Sequence, residues 1–223
     1  SDKPDIEYSI FDHIRYVEAF IAKLGLKNIT LVLHGWGSVI GFHYAMEHQE
    51  NVKGIAFYES HVRATISWDM LSLPVQQMAS IFTDQDTSYR EVMVNNFFIN
   101  TALPTGILRQ LTDEEMKHYA EPFKTKASRK PLMTYVQELP VGSIDDDVMA
   151  LIRAYSAKLK ESTIPKLMFY AVPGFITTIE NVQWAKENFP NLELKDLGEA
   201  LHFIQETNPL LFAHELDEWY LSL

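Results

Sequence analysis

The stretch Leu31–Ser38, reading LVLHGWGS, restricts the fold of this chain more than any other. Ile29 to Leu33 is a short, nearly all-apolar run with β-branched residues, and it reads as a strand buried on both faces. Gly35 and Gly37 punctuate a sharp turn, and a helical pattern then runs to about Glu47. Lys53 to Tyr58 (KGIAFY) repeats the strand signal after a short connection. Strand, helix and strand with so little between them imply a parallel βαβ unit with a right-handed crossover.

Around this unit the pattern is equally regular. Between Asp12 and Leu24, Ile14, Val17, Phe20, Ile21 and Leu24 recur at helical spacing, with Gly25 placed as a C-cap. From about Arg63 to Ser162 no comparable buried strand occurs, helical patterns dominate, and prolines stand at 74, 104, 122, 131 and 140. This stretch reads as a helical insertion. Alternation resumes with a strand over Pro165–Val172, a helix over Ile179–Phe189, a strand over Leu192–Leu197 and a closing helix over Asn208–Leu223. The expected organisation is a main α/β domain formed by residues 1–62 and 163–223, interrupted by a helical segment over 63–162. Sheets of this kind usually hold about five or more strands. Only four are legible here, so the expectation is that N-terminal strands are missing from this sequence.

Composition removes several function classes. Lys and Arg total 19 against 30 acidic residues in 223, a net charge of -11, which argues against a nucleic-acid partner and an anionic membrane surface. The absence of cysteine excludes disulfides, thiolate-bound zinc and thiol catalysis. No apolar run approaches a membrane span, and the opening SDKPDIEYS carries no basic-then-apolar signal. The reading is of a soluble, cytoplasmic protein.

In open α/β sheets ligands gather beyond the carboxyl ends of the strands. Those positions hold His34, Gly35, Trp36 and Gly37 after the first strand, and Glu59, Ser60 and His61 after the second. Pro173, Gly174 and Phe175 follow the third, and Gly198, Glu199 and His202 the fourth. Taken singly, His202 reads equally well as an ordinary loop histidine among eight, and Glu59 as a solvated strand-end carboxylate. Their order after a strand, sharp turn and helix gives them more weight, because that context is a nucleophile elbow, whose apex is held at positive φ. By register the apex is Gly35, which has no side chain to attack with. Ser38 lies about one helical turn further on and would point away from the strand ends.

Together these segments carry a family resemblance. HGWGS (34–38), IGFHYAMEH (40–48), VKGIAFYES (52–60), ISWD (66–69), LTDEEMKHYAEPF (111–123), VPGF (172–175) and LHFIQETNP (201–209) resemble the haloalkane dehalogenases of the α/β-hydrolase superfamily. The likeness is to the branch whose catalytic acid is a glutamate after this second strand. EHQE (47–50) and NNFF (95–98) also resemble the related Renilla-type coelenterazine luciferases. The resemblance implies an α/β-hydrolase fold, a mostly parallel sheet flanked by helices, with 63–162 as a helical cap. In the family an aspartate at the elbow displaces halide to form an alkyl-enzyme ester, and the matching position is Gly35. Trp36 matches the halide-binding N–H donor, Glu59 the catalytic acid and His202 the water-activating base. Trp68, Phe98, Phe123, Phe175 and Leu201 match an apolar substrate pocket. The family's loop with an oxyanion contact and a second halide donor, usually an asparagine, has no match here.

The implied substrates are small apolar halogenated molecules and water, with halide released and neither cofactor nor metal required. The residue types suit that chemistry. A carboxylate is ionised at neutral pH and attacks carbon without a base, and the ester is then opened by water activated on an imidazole that an acid holds in place. An indole N–H stabilises the departing halide. With Gly35 at the nucleophile position, the expected protein is a dehalogenase-like hydrolase that is inactive or impaired. The alternatives are a Renilla-type luciferase-like monooxygenase and a noncatalytic relative that binds small ligands.

Overall fold

Four parallel strands form one sheet in the order β1-β2-β3-β4: β1 (Ile29–Gly35), β2 (Val52–Ser60), β3 (Lys166–Pro173) and β4 (Leu192–Ala200). A computed structural model describes residues 2–82, 84–139 and 146–223. Pro140, one of the punctuating prolines, lies outside the described residues. In register, Leu33 lies beside Phe57, Phe57 beside Met168, and Met168 beside Leu194, which places the apolar runs side by side. β2 is central and is buried throughout except at Lys53.

Helices cover both faces. α1 (Ile10–Leu24) starts with a capping box between Ser9 and Asp12 and ends at Gly25, whose φ of 62° suits a left-handed cap. α2 (Trp36–Glu47) packs on β1 and α1 and is apolar almost all round, as an internal helix must be. On the opposite face α11 (Pro209–Ser222) brings Trp219 and Phe212 onto β2 and β3, with Phe212 4.8 Å from Phe169 between ring centres. α9 (Ile179–Asn188) and the short α10 (Ile204–Thr207) complete the second half.

One sequence reading needs correction. β1 is not buried on both faces: Leu33 is 8% exposed, but Val32 is 50% exposed. β1 stands at the edge of the described sheet, and the cluster that buries Ala56, Leu167 and Phe169 under α11 does not include it. A strand pattern reports apolarity, whereas two-sided burial needs a helix on each face. Between β2 and β3 lies the segment 63–162, read from sequence as a helical insertion. It contains α3 (Leu73–Ile81), α4 (Gln85–Tyr89), α5 (Leu103–Thr105), α6 (Asp113–Ala120) and α7 (Lys130–Gln137) over the strand ends, but also α8 (Asp147–Leu159). α8 packs on α2, with Tyr155 5.5 Å from Phe42 between ring centres and Ile152 and Leu159 fully buried in the main core.

The inserted segment is tied to α10 and to the turn before it. Arg109 donates to the Glu206 carbonyl at 2.6 Å and to its carboxylate at 2.8 Å, and forks onto Glu115. Phe203 N–H donates to the Gly106 carbonyl at 3.0 Å. Among the described residues no helix is long and apolar enough to cross a membrane.

Candidate active site

β1 ends at Gly35 with φ 51° and ψ -129°, a conformation that side chains other than hydrogen rarely adopt. The chain can therefore reverse within one residue and begin α2 at Trp36. Ser38, fully buried, locks the turn: its hydroxyl donates to the Gly35 carbonyl at 2.6 Å and accepts from His61 N–H at 3.0 Å. That hydroxyl is occupied in structure and is not a replacement nucleophile.

Glu59, 1% exposed, is the penultimate residue of β2 and has a positive φ of 48°. The strained backbone is offset by what the carboxylate reaches. One oxygen accepts from Phe175 N–H at 3.0 Å and Thr177 N–H at 3.2 Å, and the other from Ile176 N–H. The second oxygen also lies 3.1 Å from His202 Nδ1. A carboxylate accepting there makes Nδ1 the protonated nitrogen and leaves Nε2 as the free base. Nε2 faces Gly35: a Cβ built on Gly35 would stand 3.5 Å from Nε2 and 3.6 Å from Cε1, with no other atom of the described residues beyond the chain neighbours within 4 Å.

His34, a strand-end residue given no role from sequence, buttresses this histidine. Its Nε2–H donates to the His202 carbonyl at 2.7 Å, and the two rings lie 4.3 Å apart. Burial, and secondarily the neighbouring His202, hold His34 down to about 4. The same two causes, in the same order, hold His61 at about 4. His61 lies 5.6 Å from Trp36, which also meets the edge of Tyr135 at 5.2 Å.

The ordinary value for both histidines is 6.5, so between about pH 6.5 and 4 the unfolded chain binds protons that the folded chain refuses. Their contribution is fully present above about 6.5 and is lost as pH falls toward 4, on the order of 3 kcal/mol for each group. Thermal melts between pH 7 and 4 should fall steeply, and His61→Gln should reduce the slope; an unchanged slope would refute the assignment to His61.

These groups open onto a cavity of about 510 Å³ between the strand ends and the inserted helices. Its wall includes Trp36, His61, Val75, Phe98, Leu103, Phe123, Leu132, Tyr135, Phe175 and His202. The space is largely apolar with an imidazole at its floor. Among the described residues no group of acidic or histidine side chains is arranged to hold a metal.

The sequence profile of the α/β hydrolase fold matches residues 1–209. A haloalkane dehalogenase from Mesorhizobium japonicum is 32% identical over 221 residues, covering 98% of this chain and 71% of that protein. The chain belongs to the haloalkane dehalogenase family of α/β hydrolases. The crystal structure of an ancestral haloalkane dehalogenase superposes with a TM-score of 0.94 at 34% identity, over 100% of this chain and 78% of that one. Coelenterazine h 2-monooxygenase from Renilla reniformis is 38% identical over 206 residues, 91% of this chain and 65% of that protein.

Within this dehalogenase-family chain, Gly35, Trp36, Glu59 and His202 meet at one site, and Phe98, Phe123 and Phe175 line its cavity. Trp68 and Leu201 do not. Trp68 is 49% exposed, because the 3-10 turn Trp68–Met70 directs Met70 and Leu71 to the cavity instead. Leu201 lies off the cavity wall, and its carbonyl is held by the Tyr58 hydroxyl. Sequence reasoning missed the supporting roles of His34 and His61, for which position after a strand was the available signal.

Proposed function

We propose that this chain keeps the cavity and the water-activating pair of a haloalkane dehalogenase, and that without a carboxylate at position 35 it does not form the alkyl-enzyme ester. The observation that carries this reading is the Gly35 Cβ direction, which leads onto His202 Nε2 at 3.5 Å. A carboxylate there would lie where the base could deliver water to its ester. Trp36, beside that position and on the cavity wall, is the halide donor in this reading. The helices of 63–162 that border the cavity act as its cap, and Phe98, Phe123 and Phe175 contact small apolar halogenated substrates. Halide assays on the parent test the first half: saturable binding of 1-bromobutane, with halide release no faster than in buffer. Release at an ordinary enzymatic rate would overturn it.

A second reading is favoured by the 38% identity to the Renilla monooxygenase. On that reading the same cavity takes a coelenterazine-type substrate, and adding coelenterazine in air gives light with oxygen uptake. A dark mixture without oxygen consumption eliminates it.

A further inference from the structure

We propose that the chain hydrolyses activated carboxylic esters by direct attack of a water held on His202, without a covalent intermediate. The inference rests on the reading of this cavity as the active site, and not on its dehalogenase chemistry. Where a Gly35 side chain would project, only the imidazole lies within 4 Å among the described residues beyond the chain neighbours. A water there can hydrogen-bond to Nε2 and still face the cavity. Glu59, fixed by three backbone amides, holds Nδ1 and balances the imidazolium formed when Nε2 takes a proton.

The remaining requirement is a donor for developing charge. Trp36 is the first residue of α2, so its amide has no acceptor within the helix and stands at the positive end of the helix dipole. In this fold class the amide after the elbow apex is an oxyanion donor. This favours carbonyl addition over displacement at saturated carbon, where a neutral water is a weak nucleophile and no oxyanion forms.

Water oxygen bonds to the carbonyl carbon as His202 Nε2 accepts its proton, and the carbonyl π electrons move onto oxygen at the Trp36 amide. The oxyanion collapses, the ester C–O bond breaks, and the leaving oxygen takes the proton back from Nε2. The net reaction is ester plus water to carboxylic acid plus alcohol. A cavity of about 510 Å³ has room for a short-chain aryl ester.

Hydrolysis of 4-nitrophenyl butyrate by the parent chain tests this. The expected result is nitrophenolate release well above the buffer rate, slower in heavy water, with no burst and no acyl adduct by mass spectrometry. His202→Gln is expected to lower the rate on the order of a hundredfold or more. Release no faster than buffer, a rate indifferent to His202→Gln in a folded variant, or an acylated enzyme overturns the proposal. The isotope and burst measurements use the parent alone and do not depend on how the variant folds. Absent esterase activity, with halide release by Gly35→Asp, would sink this proposal and leave the dehalogenase reading standing; the opposite pair of results would do the reverse.

Discussion

Gly35→Asp is expected to release halide from 1-bromobutane at least about a thousandfold faster than the parent, since loss of a covalent nucleophile commonly removes several powers of ten in rate. The backbone needed to aim the new group is already built. β1 ends in the turn, α2 begins at Trp36, and the Cβ direction meets His202 Nε2 at a normal contact distance of 3.5 Å. A side chain at φ 51° and ψ -129° is strained, at roughly 1–3 kcal/mol. The variant should therefore melt below the parent while gaining activity, a pairing that separates a chemical effect from a general improvement in folding. Halide titration and thermal melts on the same preparation check both. A folded variant without halide release would remove the proposed role of position 35.

Glu59→Ala is expected to be the most damaging single substitution in the site. Three backbone amides, those of Phe175, Ile176 and Thr177, and the His202 ring lose their acceptor in a place where Glu59 is 1% exposed. A buried donor left unsatisfied costs roughly 1–3 kcal/mol, so the sum is several kcal/mol against a total stability of about 5–15. Urea unfolding should show a large drop in midpoint or no folded protein at all. Glu59→Gln keeps the volume and one acceptor, and is expected to fold. Its amide group would face N–H donors, and His202 would lose its fixed tautomer. In the Gly35→Asp background this change should lower turnover by about three to four powers of ten with little effect on KM, as happens when the acid behind a catalytic imidazole becomes an amide. A Glu59→Ala protein as stable as the parent would contradict the hydrogen bonding described here.

The parts of the fold that were legible in sequence are those set by local pattern. The run Ile29–Leu33, the KGIAFY run and the glycine at the elbow apex encode strand, strand and sharp turn through apolar periodicity and backbone freedom. His202 and Glu59 were legible because the ends of parallel strands converge, whatever their separation along the chain; these two lie 143 residues apart. What sequence did not give depends on neighbours. Val32 is exposed because the cluster under α11 does not extend to β1, and α8 packs into the main core because its apolar face meets Phe42. Trp68 shows the same limit at the cavity. An aromatic residue in a pocket-forming segment is apolar enough to line it, but the local 3-10 turn decides which side chains face inward. His34 was visible as a strand-end residue, yet its contact with the His202 carbonyl depends on the path of a distant loop.

The central claim, that position 35 is the nucleophile position and lacks its carboxylate, is tested most directly by trapping. Gly35→Asp combined with His202→Phe keeps the attacking group and removes the base that would open the ester. After incubation with 1-bromobutane, mass spectrometry should find the chain heavier by one butyl group, carried on the peptide that contains position 35. A folded double variant that gains no adduct, or gains it at another residue, would contradict the claim.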